Sequence, residues 1–347
     1  MSMVQKEVYK KISKTFKRLV AKMMTLVSLC RALLLCAAFT AWVAEAQSFL
    51  TAISQFPELS NFTTLMYDNP GLAGALLTSN ATSLTQITVL VPDNSAFDKL
   101  EAQLGAPVGS LTVGQLEPIL QYLILVGEWT TDNFLVQNGT TVPTLLNGPM
   151  YNNRSAGPAL GSSGAPGDPH NGQVVFIQAS NSNPTSSKRF TVRQLPQPTA
   201  TVQGGLGQQI NLTAIDGYWD GGVFQIVDQF LDLPLNCSET ISIWNQTTFA
   251  DGLSRTGIGP AVDITQNVTC LVPTNEAFVQ ASPGEFGYNI TDLAELILFH
   301  TIDEPLYTNF LADGQEYTSF SNQTVRISII DGSIFLNDAK LIVTNIM

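Results

Sequence analysis

The sequence predicts a mixed fold of helices and strands that is built twice, as two copies of one domain. A nine-residue segment, VLVPDNSAF at 89–97, recurs 181 positions later as CLVPTNEAF at 270–278. A long apolar run at 116–126 recurs at almost the same offset, at 293–302. Two features at nearly one offset indicate a duplicated domain. The chain has 347 residues and is 44% hydrophobic, which is enough for two domains with buried cores.

Each nine-residue segment predicts a strand, a stop and the start of a helix. The runs at 86–91 and 267–272 have the residue types of strands, and the proline that follows each run ends its strand. Asp93 or Thr274 is then placed to cap a helix. Phe97 or Phe278 supplies the first large apolar side chain of that helix.

The recurring apolar runs predict a second helix in each copy. The first run extends to Gly127 and the second to Asp303. Between the strands of the first copy, residues 147–188 are rich in Gly, Ser and Pro, which is typical of a loop, and 173–179 within it has the pattern of a strand. This insertion is either a long binding loop or a tolerated surface insertion.

These motifs resemble the fasciclin-like (FAS1) family, and the resemblance covers nearly everything from residue 48 onward. The matching positions, which we expect to be structural, are Pro92, Asn94, Ala96, Phe97, Tyr122, Pro273, Asn275, Ala277, Phe278 and His300. The family's closing hairpin is similar to DGYWDGGVFQIVD at 216–228 of the first copy. Both copies depart from the family's Tyr–His pair, because Leu123 follows Tyr122 and Phe299 precedes His300.

The resemblance implies the α+β fold class and tandem FAS1 domains, each a twisted β-sandwich or wedge with several packed helices. We expect the first domain at 47–236, with its insertion at about 147–188, and the second at 237–347. The segment 334–344 is similar to the strands that come just before the close of the family fold, so we expect the second domain to lack its final strand.

The first 46 residues predict a secretory signal peptide with a long basic n-region. They hold eight of the 16 basic residues but only two of the 28 acidic ones. An apolar run of about twelve residues follows, and then Ala44-Glu45-Ala46, so we expect cleavage after Ala46. A membrane-spanning helix needs about 20 apolar residues. An uncleaved signal anchor is the alternative.

Ten N-glycosylation sequons support a secreted chain, and all lie beyond residue 46. A chain with this content of Asn, Ser and Thr is expected to contain roughly four sequons by chance. An Asn- and Thr-rich surface that yields sequons freely is the alternative interpretation. The ten candidate sites are Asn61, Asn80, Asn138, Asn153, Asn211, Asn236, Asn245, Asn267, Asn289 and Asn322.

Cleavage would leave Cys237 and Cys270 as the cysteines of the mature chain. In an oxidising compartment two cysteines most simply pair with each other, so we expect a disulfide. Two buried free thiols, or pairing between chains, are the alternatives.

Composition and motifs argue against catalysis and against nucleic acid as a partner. The net charge is −12, with pI near 4.5. The two histidines are His170, in the insertion, and His300. No Gly-x-Ser-x-Gly, His-Glu-x-x-His, Walker or EF-hand pattern occurs in the sequence. We therefore expect no enzyme activity, no catalytic or metal-binding residues and no cofactor.

The family resemblance implies a secreted or cell-surface glycoprotein that mediates adhesion. The expected partners are extracellular matrix, cell-wall polysaccharide or a cell-surface protein, and the endomembrane lumen is an alternative location. Relatives often carry a C-terminal lipid anchor, and here such an anchor would have to lie outside this sequence. Two other functions stay open: a module that binds a small apolar ligand or lipid, and, less favoured, a carbohydrate-active enzyme.

Overall fold

The structure is a computed structural model in which residues 47–78, 86–136, 138–151, 156–161, 168, 171–180, 200–281 and 289–347 are described. The predicted signal peptide and parts of the insertion lie outside them. Helices and strands both contribute to each copy, so the predicted α+β class is confirmed. None of the helices in the described ranges is long and apolar enough to cross a membrane.

Capping side chains set the starts of several helices in the first copy. Ser48 accepts a hydrogen bond from Thr51 N, and Asp93 accepts one from Ala96 N at 2.9 Å, as predicted for this position. Gly105, with φ of 67°, ends the helix that Asp93 begins. The described helices of this copy are α1 (Phe49–Ile53), α2 (Ser60–Asp68), α3 (Pro70–Thr78), α4 (Asn94–Leu104), α5 (Val113–Tyr122) and α6 (Thr131–Phe134).

The first copy folds its described strands into one curled sheet. They are β1 (Ile87–Pro92), β2 (Ile124–Val126), β3 (Thr140–Pro143), β4 (Val174–Ala179), β5 (Ala200–Gln203), β6 (Gln209–Trp219) and β7 (Gly222–Val227). Their order is β2-β1-β7-β6-β5-β4-β3, with β7 parallel to β1 and antiparallel to β6. A bridge between Leu125 and Thr144 joins the two ends of this order, so the sheet closes into a near-barrel.

A buried glutamine stabilises the irregular part of this near-barrel. The pairing of β6 with β7 shifts register between Thr213 and Gly217. Gln225, on β7, is fully buried, and its Oε1 accepts hydrogen bonds from Ile215 N at 2.8 Å and Asp216 N at 3.0 Å. Because the backbone groups freed by the bulge find a partner in Gln225, this polar side chain is tolerated in the core.

The long apolar run at 116–126 is not one helix, and neither is its counterpart. Helix α5 ends at Tyr122, and the next residues form β2, which pairs with β1. Most residues of the run are apolar because both pieces are largely buried, so its composition does not mark where the helix stops. The strand predicted at 173–179 is observed as β4.

The second copy repeats this order of elements. Its described helices are α7 (Cys237–Ile243), α8 (Thr247–Thr256), α9 (Gly259–Ile264), α10 (Asn275–Ala281) and α11 (Ile290–Phe299). Its described strands are β8 (Thr269–Cys270), β9 (Thr301–Ile302), β10 (Glu316–Thr318), β11 (Thr324–Ile330), β12 (Ser333–Leu336) and β13 (Ala339–Lys340).

The described strands of the second copy form two sheets, and an isolated bridge connects them. One sheet is β8-β9 and the other is β10-β11-β12-β13, and the bridge joins Ile302 to Ser319. The neighbouring strands β8-β9-β10-β11-β12-β13 therefore follow the same order as β1-β2-β3-β4-β5-β6 in the first copy. Among the described residues, no strand takes the place that β7 holds between β6 and β1.

Candidate functional site

The family asparagines Asn94 and Asn275 hold the same position in their two copies, where each anchors a second helix. Asn94 Oδ1 accepts from Asn61 N at 3.0 Å, and its Nδ2 donates to Pro57 O at 3.2 Å. Asn275 Oδ1 accepts from Thr248 N at 2.9 Å. Each side chain therefore connects the start of its own helix to the start of an earlier helix in the same copy.

The other motif residues are packing residues in the first copy and partly so in the second. Ala96 is buried, and the ring of Phe97 lies 5.1 Å from that of Phe230. Phe278 is buried against Phe249, but Ala277 is exposed. Pro92 is buried at the end of β1, whereas Pro273 is partly exposed before α10.

Replacing the motif asparagines should destabilise each copy separately. We expect Asn94→Ala to lower the free energy of unfolding of the first copy by about 1–2 kcal/mol, because it leaves helix-end groups without a partner. Asn275→Ala should do the same to the second copy. Asp98→Ala, at an exposed position of α4, is the control. Denaturant titration measures all three, and equal stability of Asn94→Ala and Asp98→Ala would contradict the anchoring role.

Tyr122 and His300 are the residues that match the family's Tyr–His pair, one in each copy. Tyr122 is fully buried, and its hydroxyl donates to Val174 O at 3.0 Å. His300 ends α11, and its Nδ1 lies 2.8 Å from Leu296 O, so the neutral ring donates its Nδ1 proton to this carbonyl. The ring also packs against Phe249 and Phe299. Both residues therefore act in packing and hydrogen bonding within their own copy.

His300 should make the second copy sensitive to mild acid. Burial lowers the pKa of His300 below its usual 6.5, although the hydrogen bond to Leu296 acts in the opposite direction. The unfolded chain therefore takes up a proton near pH 6.5 that the folded chain resists. The stability of the second copy should be full above pH 6.5 and fall as the pH drops towards 5.

The His300→Gln variant tests this expectation. Denaturant midpoints of the second copy at pH 7.5 and pH 5 should differ in the unchanged protein and differ less in the variant. An equal loss of stability in both proteins would assign the pH dependence to other groups.

A disulfide joins Cys237 to Cys270, the predicted pair. Cys237 is the first residue of α7, and Cys270 is the last residue of β8. The first residue of α1, Phe49, instead packs its ring against Trp219 and Phe224. The disulfide therefore holds the first helix of the second copy in place, whereas aromatic packing holds the first helix of the first copy.

The sequon asparagines lie on or near the surface wherever the structure describes them. Asn61, Asn138, Asn211, Asn245, Asn289 and Asn322 are exposed, whereas Asn236 and Asn267 are partly exposed. Asn80 and Asn153 lie outside the described residues.

Several of these asparagines also have a backbone role. Asn236 and Asn289 cap helices through Oδ1, and Asn245, Asn267 and Asn322 adopt left-handed φ values of 56–59°. Asparagine is favoured at both kinds of position. Part of the excess of sequons is thus explained by turns and caps.

Polar and apolar contacts join the two copies, and residues Ser48–Met347 form one compact unit. Buried Tyr307 donates its hydroxyl proton to Ala156 O at 3.0 Å, and Trp244 Nε1 donates to Leu206 O at 3.0 Å. Met347 packs in the same small apolar cluster as Tyr307. The sequence gives no sign of these residues, because contacts scattered along the chain leave no periodic pattern.

Chemistry-bearing residues are sparse in the part of the chain that the structure describes. There, no three His, Cys, Asp or Glu side chains lie close enough together to hold a metal ion. His170 lies outside that part. Within the described residues, the contacts of the His300 side chain are with two aromatic rings and a backbone carbonyl.

Several known proteins are similar to this chain. A fasciclin-like arabinogalactan protein, elcF, from Phaeosphaeria nodorum is 24% identical over 86% of this chain and 83% of the relative. A fasciclin-like arabinogalactan protein from Arthroderma benhamiae is 22% identical over 89% of this chain and 65% of its own length. A third, CTB11 from Cercospora beticola, is 27% identical over 42% of this chain and 40% of the relative.

One solved structure is also similar to this chain, and a family model matches two of its regions. The solved structure is a FAS1 domain pair from the insect cell adhesion molecule Fasciclin I. It has 17% identity and a TM-score of 0.32, and the match covers 82% of this chain and 89% of that one. The family model of the Fasciclin domain matches residues 57–165 and 237–347, one region in each copy and together more than half of the chain. The chain therefore belongs to the fasciclin-domain family.

Proposed function

We propose that this protein is a secreted or cell-surface glycoprotein that mediates adhesion to matrix, wall polymers or other cells. The observation that carries the proposal is the fasciclin domain found in both halves of the chain. The relatives named fasciclin-like arabinogalactan proteins support an extracellular, adhesion-type function. The contacts between the two copies support it too, because a fixed pair presents one continuous surface to a partner.

Charge limits the kind of surface that would bind. Beyond residue 46 the chain has 8 basic against 26 acidic residues. Strongly anionic polymers would be repelled at low salt, and neutral polysaccharides or cationic protein surfaces would not. We therefore favour neutral wall or matrix polymers and cell-surface proteins as partners.

Beads coated with the secreted protein test the proposal. We expect them to bind at least one of three surfaces: intact cells, isolated wall or matrix polysaccharide, or matrix protein. Soluble protein should compete with the binding, and protein unfolded by reduction and heat should not. If the beads bind none of the three surfaces above the level of the unfolded control, the adhesion proposal is overturned.

Processing is a separate prediction of the same proposal. The mature protein should begin at Gln47, because the basic segment and the apolar run before it form a cleavable signal peptide. N-terminal sequencing of secreted material, with gel mobility before and after glycosidase, checks this. Met1 or Met24 at the mature N-terminus, together with unchanged mobility, would contradict it.

A further inference from the structure

The dipeptide Asn-Gly occurs three times in the chain, at 138–139, 147–148 and 171–172. An asparagine that is followed by glycine can react with its own backbone, because the glycine nitrogen is not shielded by a side chain and its backbone rotates freely. The nitrogen then attacks the side-chain carbonyl carbon of the asparagine. Whether this attack occurs in a folded protein depends on how the fold holds each pair, and the three pairs are held differently.

Asn147 and Gly148 lie at the start of the insertion, and their reacting groups already face each other. Gly148 N donates to Asn147 Oδ1 at 2.8 Å. The carbonyl carbon Cγ is one bond of about 1.2 Å from Oδ1, so it lies at most about 4 Å from this nitrogen. Reacting atoms in a near-attack arrangement are about 3–3.5 Å apart, so a small rotation of the side chain is enough to reach it.

Space and solvent are also available at this pair. Asn147 is exposed and Gly148 is partly exposed. Among the described residues, no atom lies within 4 Å of the position that a side chain on Gly148 would take. The φ of Gly148 is 145°, a conformation that glycine adopts without strain. The pair can therefore change its conformation, and water can reach it, without movement of the packed core.

The fold opposes the same attack at the other two pairs. Gly139 N donates to Val136 O at 3.1 Å, so this nitrogen is already engaged, and the glycine is buried against Phe176. Gly172 is also buried and packs directly against the backbone carbonyl of Thr144. Attack at either pair would first require local opening of the structure.

We propose that Asn147 is a site of spontaneous modification, in which the chain converts it to isoaspartate and aspartate. Gly148 N loses its proton to a base in the solvent and forms a bond to Asn147 Cγ. The bond from Cγ to Nδ2 breaks, and Nδ2 takes a proton from the solvent and leaves as ammonia. Water then opens the resulting succinimide ring: cleavage of its Cγ–N bond gives aspartate, and cleavage of the backbone C–N bond gives isoaspartate. The net change consumes one water and releases one ammonia, and nothing is oxidised or reduced.

Isoaspartate would alter the chain at the point where it leaves the sheet. Gln173 N donates to Leu146 O at 2.8 Å on one side of Asn147, and Tyr151 N donates to Gly148 O at 2.9 Å on the other. Isoaspartate adds one carbon to the main chain between these two hydrogen bonds, and either product adds a negative charge. The modification therefore changes the path and the charge of the insertion where it begins. This inference does not depend on the adhesion proposal.

Peptide mapping of the mature secreted protein after incubation at pH 8 and 37 °C tests the proposal. Digestion at mildly acidic pH prevents further reaction during the analysis, and labelling with a protein isoaspartate methyltransferase distinguishes isoaspartate from aspartate. The Asn147 peptide should gain isoaspartate at least about tenfold faster than the peptides of Asn171 and of unglycosylated Asn138. Asn147→Gln should remove this signal, whereas Asn171→Gln, the matched control, should keep it.

The same incubation in denaturant separates the effect of the fold from that of the dipeptide. Each asparagine keeps its glycine neighbour when the chain is unfolded, so the three rates should become similar. The proposal is overturned if Asn147 of the folded protein stays unchanged or gives aspartate without isoaspartate. It is also overturned if Asn171 reacts as fast as Asn147 in the folded protein, or if the difference between them persists unchanged in denaturant.

Discussion

Denaturant titration of the secreted protein is expected to show two transitions, with residues 237–347 unfolding first. The buried apolar cluster of the second copy comprises, in the described residues, Ile241, Phe249, Leu253, Val262, Phe278, Leu293 and Ile297. The cluster of the first copy is several times larger and runs through the closed sheet and all the helices around it. Each large side chain buried adds about 1.5–3 kcal/mol, against a total stability of about 5–15 kcal/mol for a domain.

Limited proteolysis should therefore remove the second copy first and leave a resistant fragment that ends near Leu235. A matched variant tests the assignment of the transitions. Phe224→Ala removes a ring that packs against Phe49 and Phe56, and should lower the stability of the first copy by about 3–5 kcal/mol. The midpoint of the first transition, which belongs to the second copy, should not change in this variant. Coincident transitions and equal resistance to protease would instead show that the contacts between the copies make them one cooperative unit.

Removing the disulfide should cost the second copy about 3–4 kcal/mol. Cys237 and Cys270 are 33 positions apart, and a bridge across a loop of this length restricts the unfolded chain by about that amount. The bridge also holds α7 against β8, whereas in the first copy aromatic contacts hold α1 against β6 and β7. In the Cys237→Ala/Cys270→Ala double variant, the first transition should lose most of its amplitude or shift to lower denaturant. The midpoint of the second transition should not change.

A non-reducing peptide map provides the chemical check on the same pair. The peptides that contain Cys237 and Cys270 should be found linked, and should separate on reduction. Quantitative thiol labelling of the native secreted protein would contradict the bridge. Equal midpoints for the unchanged protein and the double variant would show that the bridge does not stabilise the second copy.

The sequence predicts the duplicated part of the fold well, because local chemistry determines that part. A strand, a proline, a capping Asp93 or Thr274 and a buried phenylalanine are all predicted within nine residues. The structure has the cap and the buried phenylalanine in both copies, whereas the second strand, β8, is shorter than predicted and ends at Cys270. The end of α5 at Tyr122 could not be predicted, because residues on both sides of it are apolar and buried. The sequence also gives no sign of the buried Gln225, since only the register shift in the neighbouring strand β6 explains it.

The candidate site was harder to predict than the fold. Asn94 and Asn275 were identified as motif residues, but their role as anchors of an earlier helix depends on tertiary contacts. The contact residues Tyr307 and Trp244 carry no sequence pattern. The sequence pattern alone identifies the sequons, and the structure adds that several of these asparagines occupy turns or cap helices.

Detachment of cells that display the protein is the most direct test of the adhesion function. The shear stress that removes half of the cells from a surface of wall or matrix polymer should be measured with and without the chain on the cell surface. We expect displaying cells to resist a higher stress, and soluble secreted protein to abolish the difference. Equal detachment of displaying and non-displaying cells from every surface tested would contradict an adhesive role.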